Sequence, residues 1–329
     1  MDNILAENKQ SQTIVELCSP GALGTCWYGK YHYIEPYIGC AHNCLYCYAC
    51  SREIVRNSLN QNKHQFKNPT LITNKDLLLK NLQDIANNNN LNIVKLSRYT
   101  DIFSPPFDTN GVAFQILETL ALSKISRIII TTKGIASPQV IELMKYYSQK
   151  FSYNLVAKPE LSIQNIKFEQ NISSLNDRLE NAQKIQSIGV KTTIHMDPLV
   201  PGFDDNPELL LDFFLKLKKY NLTRVMFSYL LLNKEIISRI ALELGDDILD
   251  KILSYYQDDS QEMLPSTTSD LCYIDLKPHL KQQSVDTIVS HLKAHNFEYV
   301  LCSLKTDKES IDLVRKSCAC NICDGSFYA

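Results

Sequence analysis

From about Tyr31 to Asn233, short β-rich runs alternate with longer amphipathic runs, a pattern that confines the chain to repeated βα units around parallel strands. Six strands are predicted: "YHYIEPYI", "NIVKLSRYT", "SRIIITTK", "YNLVAKPELSI", "KTTIHMDPLV" and "RVMFSYLLL". Most are too apolar on both faces for a half-exposed antiparallel sheet. Each intervening helix carries one apolar stripe, with Val112, Ile116, Leu117 and Leu120 in one and Leu179, Ala182, Ile185 and Gly189 in another. Ser173 or Ser174 offers an N-cap ahead of Leu179, and Gly189 suits the left-handed residue that closes that helix. "ASPQVIELM" starts in the same way, with Ser137 as cap and Pro138 in the first turn.

After Asn233 two helical stretches are expected to Gln257, followed by a loop, a β-α-β segment ("LCYIDL", "KQQSVDTIVSHLKAHN", "EYVLCSL") and a Cys-rich tail. The expected organisation is an N-terminal extension over 1–30, the βα units over 31–257, the β-α-β extension packed on them over 258–305, and the tail over 306–329. With 44% apolar content, 329 residues bury a core of their own without a disulfide scaffold. No apolar run approaches the ~20 residues that cross a bilayer, and the start "MDNILAENKQSQ" lacks a secretory signal, so a cytoplasmic protein without a membrane partner is expected. A formal charge of -2 gives no global attraction for nucleic-acid backbones.

Eleven cysteines, an odd number of which seven fall into two tight groups with single residues between, suggest metal ligands in a reducing compartment. Cys40, Cys44 and Cys47 are spaced CxxxCxxC in the loop after the first strand. Three thiolates on a short loop can hold three irons of a 4Fe-4S cluster and leave the fourth iron open. A zinc site would need Cys50 or His42 as a fourth ligand.

The CxxxCxxC spacing, with Tyr46 before the last cysteine and directly after the first strand of a βα array, resembles the radical S-adenosylmethionine (SAM) enzymes. "PYIGCAHNCLYCYA" is similar to the spore photoproduct lyase-like branch of that superfamily. "RYTDIFSPP", "FEQNISSLNDRLENA", "IHMDPLVPG" and "YVLCSLK" resemble further segments of the branch, so the likeness runs, with gaps, from about Pro36 to Lys305. It implies a partial (β/α)6 TIM-like barrel with the β-α-β extension at its C-terminal side. It also implies SAM bound through the open iron and split by an electron from a flavodoxin- or ferredoxin-type donor, giving a 5'-deoxyadenosyl radical that abstracts hydrogen from a substrate.

Carried over residue by residue, the resemblance sets Tyr46 against the adenine and Tyr48 toward the cluster or substrate. Lys133 would pair with the SAM carboxylate, Thr100 and Asp101 would meet the methionine amine, and Ser162 and Gln164 would supply polar contacts. Read as residues alone, Lys133 is equally a solvated strand-end charge, and Thr100 and Asp101 a cap for the next helix. His195 and Asp197 share a side of the fifth strand, facing either substrate or each other as a buried hydrogen-bonded pair. Where spore photoproduct lyases carry a cysteine that returns hydrogen to the repaired thymine, this chain has Arg98 and Tyr99. Tyr99 is then either a hydrogen-atom or electron donor or a packing residue.

The second group, Cys318, Cys320 and Cys323, is spaced for three ligands of an auxiliary cluster or a zinc site, with Cys18, Cys26 or Cys272 as fourth. The alternatives are a redox tail or a disordered chain end. The expected reaction is lyase-type radical chemistry on a ribosomally made peptide, modified or cleaved, with or without a delivery protein. DNA photoproduct repair is the alternative, for which "KLKKY" and "SREIVR" are basic patches, and a non-catalytic metal-binding protein is the third.

Overall fold

All six predicted strands lie side by side in one sheet. The computed structural model describes residues 14–21, 31–87, 91–160, 167–258 and 273–301. In chain order the strands are β1 (Cys18–Pro20), β2 (His32–Ile34), β3 (Tyr37–Ile38), β4 (Thr70–Leu71), β5 (Ile93–Leu96), β6 (Arg127–Thr132), β7 (Phe151–Val156), β8 (Lys191–Leu199), β9 (Arg224–Tyr229) and β10 (Glu298–Leu301). The helices are α1 (Glu53–Asn62), α2 (Lys75–Ala86), α3 (Val112–Leu122), α4 (Pro138–Tyr146), α5 (Leu175–Ser187), α6 (Pro207–Lys219), α7 (Lys234–Leu244), α8 (Asp246–Leu253) and α9 (Pro278–Ala294).

The main sheet runs β1-β2-β5-β6-β7-β8-β9-β10, parallel from β2 onward, with β1 antiparallel on β2 at one edge. Its two end strands do not pair with each other, so the barrel is open. This is an incomplete TIM-like barrel of βα units. The first predicted strand breaks into β2 and β3 around Glu35 and Pro36, and proline, lacking an N–H, cannot continue the ladder. The C-terminal segment extends the barrel sheet. Among the described residues of "LCYIDL", Ile274 and Leu276 form isolated bridges with Leu232 and Tyr256, while α9 delivers β10 parallel onto β9 as another βα unit of the same sheet.

Ser174 caps α5 by accepting from Asp177 N, Ser137 caps α4 ahead of Pro138, and Gly189 has φ +89°. The helices bury their stripes on one face of the sheet: Ile128, Ile130, Tyr153, Leu155, Ile194, Met196 and Phe227 join Ile116, Leu120, Leu179, Ile185, Leu210 and Phe214 in a single core. Period-two alternation turns Lys95, Thr131, Lys133, Asn154, Thr193, His195 and Ser228 to the opposite, concave face. The barrel thus has an apolar outside under its helices and a lumen in which these polar side chains are mixed with Ile129, Val156 and Met226. Among the described residues no helix is long and apolar enough to cross a membrane.

Candidate active site

The cysteine loop follows β3 and covers the C-terminal ends of the parallel strands, where βα barrels place their chemistry. Gly39 enters it at φ +87°, and a Cβ there would collide with the Phe66 carbonyl oxygen, which accepts from Cys40 N at 2.8 Å. Past Gly39 the loop is pinned from two sides. Thr100 Oγ1 donates to the Gly39 carbonyl, and Ala41 N donates to Ser104 Oγ at 2.8 Å. Residues 168–171 hold the other side: Leu45 N donates to Phe168 O (2.8 Å), Asn43 Nδ2 to Gln170 Oε1 (2.7 Å), and Asn171 Nδ2 to Ala41 O (3.0 Å).

Asp101 is the joint between loop and barrel. Its buried carboxylate accepts from Thr132 Oγ1 (2.6 Å), Lys133 N (2.7 Å) and Phe103 N (2.9 Å), and lies 3.3 Å from His42 Nε2. Burial opposes its ionisation, but His42 and these donors outweigh it, and the carboxyl is lowered to about 2. His42 Nδ1 stands 3.1 Å from Asn171 O. Thr100 and Asp101, expected at the methionine amine, are therefore engaged by the protein itself.

Cys44 is buried, whereas Cys40 and Cys47 are partly exposed. Burial raises Cys44 to about 12 and Cys40 well above the ordinary thiol value. A hydrogen bond from Cys50 brings Cys47 down to about 6. Among the described residues no three His, Cys, Asp or Glu side chains converge as a single metal ion requires. Of the two candidates for a fourth zinc ligand, His42 lies against Asp101 and Asn171, and Cys50 against Cys47 and Arg239. A cubane spreads its thiolate ligands wider than one ion does, and three thiols on a single loop suit it.

Tyr46 sits at the centre of a buried charged ring. Its hydroxyl donates to Glu169, and the ring has Lys133 Nζ 5.5 Å and Lys158 Nζ 4.9 Å from its centroid. Lys133 Nζ is 3.9 Å from Glu169 Oε1, and Lys158 Nζ donates to Asp204 Oδ2 at 2.7 Å. Burial works against the charge on Lys133, but Cys44, Glu169 and Asp101 overcome it and raise its pKa; Glu169 is lowered against burial by Lys133 and Lys158. Lys158, Glu169 and Asp204 were not singled out from sequence. The acid of "FEQN" ahead of a capped helix is the one signal of them that the sequence carries.

His195 and Asp197 face the lumen together. His195 is 2% exposed, Ser228 Oγ donates to Asp197 Oδ1 at 2.6 Å, and Asn154 Nδ2 donates to Thr131 Oγ1 at 3.2 Å one row below. Tyr48 is 39% exposed and donates to the Arg98 carbonyl. Tyr99, by contrast, lies in a satellite core with Val15, Ile38, Ala49, Val55 and Leu59, under the Arg98 guanidinium at 5.0 Å. Cys47 packs against the same cluster, and the Tyr48 ring centroid is 6.4 Å from that of Tyr99. Of the basic patch read from "SREIVR", Arg52 is buried, and Arg56 is exposed and 3.3 Å from Glu235. Ser162, Gln164, Cys318, Cys320 and Cys323 lie outside the described residues.

No family model matches the chain, and no curated protein matches it. Among solved structures it is similar to spore photoproduct lyase complexed with dinucleoside spore photoproduct, at 15% identity and a TM-score of 0.62, covering 82% of this chain and 75% of that one. A variant of spore photoproduct lyase with bound AdoMet and the same dinucleoside matches at 14% identity and a TM-score of 0.61, with the same coverage. Over that length the chain shares the fold of spore photoproduct lyase.

Proposed function

We propose that this chain is a radical SAM enzyme in which Cys40, Cys44 and Cys47 ligate a 4Fe-4S cluster whose fourth iron takes SAM. The observation that carries the reading is the placement of three thiols on one clamped loop above the lumen, with a ring of paired lysines and carboxylates beside them. Cluster and SAM together supply a 5'-deoxyadenosyl radical once a flavodoxin- or ferredoxin-type partner donates an electron.

The chain's own residues bind and orient. Lys133, with Lys158 behind it, supplies cation for the carboxylate of SAM, and Glu169 and Asp204 supply the opposite charge for its ammonium and sulfonium. Tyr46 presents a ring face between them. Thr100 and Asp101 act on the cofactor indirectly by fixing the loop that holds it. His195 and Asp197, the latter oriented by Ser228, face the lumen as substrate contacts.

The substrate proposed is a ribosomally made peptide, undergoing modification or C–C cleavage. A net charge of -2 and the lack of a thiol in "LSRYTD" support it over DNA repair. The fold likeness to a lyase holding a dinucleoside photoproduct favours the second reading, DNA photoproduct repair. Anaerobic reconstitution, iron and sulfide counts, and 5'-deoxyadenosine yield with peptide and with photoproduct-containing DNA test both. Deoxyadenosine formation stimulated by DNA, with binding that falls steeply with salt, decides for repair. An intact cluster that yields no deoxyadenosine from SAM under strong reductant leaves a non-catalytic metal protein. The same counts in a Cys318→Ala, Cys320→Ala, Cys323→Ala variant test the auxiliary cluster or zinc site, which loses its support if wild type and variant hold equal metal.

A further inference from the structure

Cys50 has no part in the three-ligand scheme, yet its thiol is hydrogen-bonded to Cys47, the last of the proposed ligands. The two are joined by backbone as well, Cys50 N donating to Cys47 O at 3.4 Å across the short 3-10 turn Tyr48–Ser51. Such a turn holds its first and fourth Cα atoms within about 7 Å, and disulfides need Cα atoms roughly 4.4–6.8 Å apart. Arg239 Nη1 reaches Cys50 Sγ at 3.3 Å, and Arg239 Nη2 reaches Asn43 Oδ1 at 3.3 Å, so α7 holds the pair from outside. Both cysteines line an open cavity of about 430 Å³ together with Ser51, Arg56, Lys234 and Arg239. A small thiol or disulfide can enter there without disturbing the barrel. Cys44 is also three residues from Cys47, but it is buried and does not line this cavity.

We propose that Cys47 and Cys50 form a reversible disulfide in the cluster-free chain, a modification site that takes Cys47 out of the ligand set until a thiol reductant returns it. The inference rests on Cys47 being a cluster ligand. With a small-molecule disulfide such as oxidised glutathione as oxidant, one cysteine loses its proton and attacks, releasing one glutathione. The second cysteine then displaces the other glutathione from the mixed disulfide. The two cysteines lose two electrons, and their two protons end on the two glutathione thiols. Under oxidising stress this would store the loop as an internal disulfide rather than leave Cys47 to climb the irreversible oxidation ladder.

The full chain is stripped of iron anaerobically, exposed to oxidised glutathione, alkylated and mapped by mass spectrometry. A Cys47–Cys50 linkage is expected as the main product in the loop, lost on treatment with dithiothreitol, after which reconstitution restores the original iron content. Reconstituted protein held under the same oxidant should show much less of the linkage. In Cys50→Ser, Cys47 should instead carry glutathione, while anaerobic iron content stays at the wild-type level. Free, alkylatable Cys47 and Cys50 in the oxidised wild type, or linkage of Cys47 to any other cysteine, would overturn the proposal. Iron content unaffected by Cys47→Ala would instead overturn the ligand assignment beneath it, so the two failures are told apart.

Discussion

Replacing Asp101 by Asn removes one charge and keeps the shape, which makes it a sharp probe of how the cysteine loop is held. In the native chain Oδ1 accepts from Thr132 and Phe103, and Oδ2 accepts from Lys133 N and faces His42. An asparagine can keep its oxygen toward Thr132 and Phe103, but its amide then confronts the Lys133 N–H, donor against donor. Losing charge-assisted bonds of about 1.5–3 kcal/mol each, with a buried N–H left unmatched, costs roughly 3–5 kcal/mol. The lowering of the carboxyl from 3.8 to about 2 gives an independent figure of roughly 2–3 kcal/mol at 1.36 kcal/mol per pH unit. Because the folded pKa is depressed, that contribution is complete above the unfolded value of 3.8 and fades as the pH falls toward 2. Urea denaturation of iron-free protein at neutral pH should therefore show Asp101→Asn less stable by about 3 kcal/mol. The gap should close below pH 4, and the reconstituted variant should release iron to a chelator faster. A variant within about 0.5 kcal/mol of wild type at neutral pH, the range of ordinary surface changes, would refute the role given to this carboxylate.

Other expectations follow from the same geometry. Lys133→Met should weaken SAM binding by about tenfold or more, the worth of one charge-assisted contact, in anaerobic equilibrium dialysis of the reconstituted protein. Lys158→Met should cost about 3–5 kcal/mol by leaving Asp204 as an unpaired buried charge, and Lys158→Met with Asp204→Leu should recover much of that loss in urea melts. Gly39→Ala adds left-handed strain of roughly 1–2 kcal/mol and drives a methyl into the Phe66 carbonyl, so iron content after reconstitution should fall well below wild type.

The strands were legible because buried parallel strands write themselves as continuous apolar runs, and Ser137, Ser174 and Gly189 were legible because caps act within a few residues of their own position. The three proposed ligand cysteines stood out for the same reason, being spaced along one loop. What holds that loop did not. His42 meets the carbonyl of Asn171 129 residues away, Tyr46 meets Glu169 at a separation of 123, and Arg239 reaches Asn43 across 196. Such pairings are created by closing the sheet and leave no local periodicity. The lumen is an intermediate case. Alternation put His195 and Asp197 on one side of β8, but which side was concave became known only once the core-facing row Tyr153, Ile194 and Phe227 was identified.

That difference in range bears on how the site works. The resemblance implies that Asp101 and Thr100 meet the cofactor, whereas their hydrogen bonds make them fixings of the loop that carries the cysteines. Lys133 joins the two proposed roles, its N–H tied to Asp101 and its ammonium facing the Tyr46 ring and Glu169. A change at Asp101 should therefore propagate to the lysine as well as to the loop. Asp101→Asn and Lys133→Met should give less than additive losses in SAM affinity when combined, since both act through one hydrogen-bonded unit. Strict additivity in that double-mutant cycle would separate them, and would return Asp101 to a role independent of where Lys133 points.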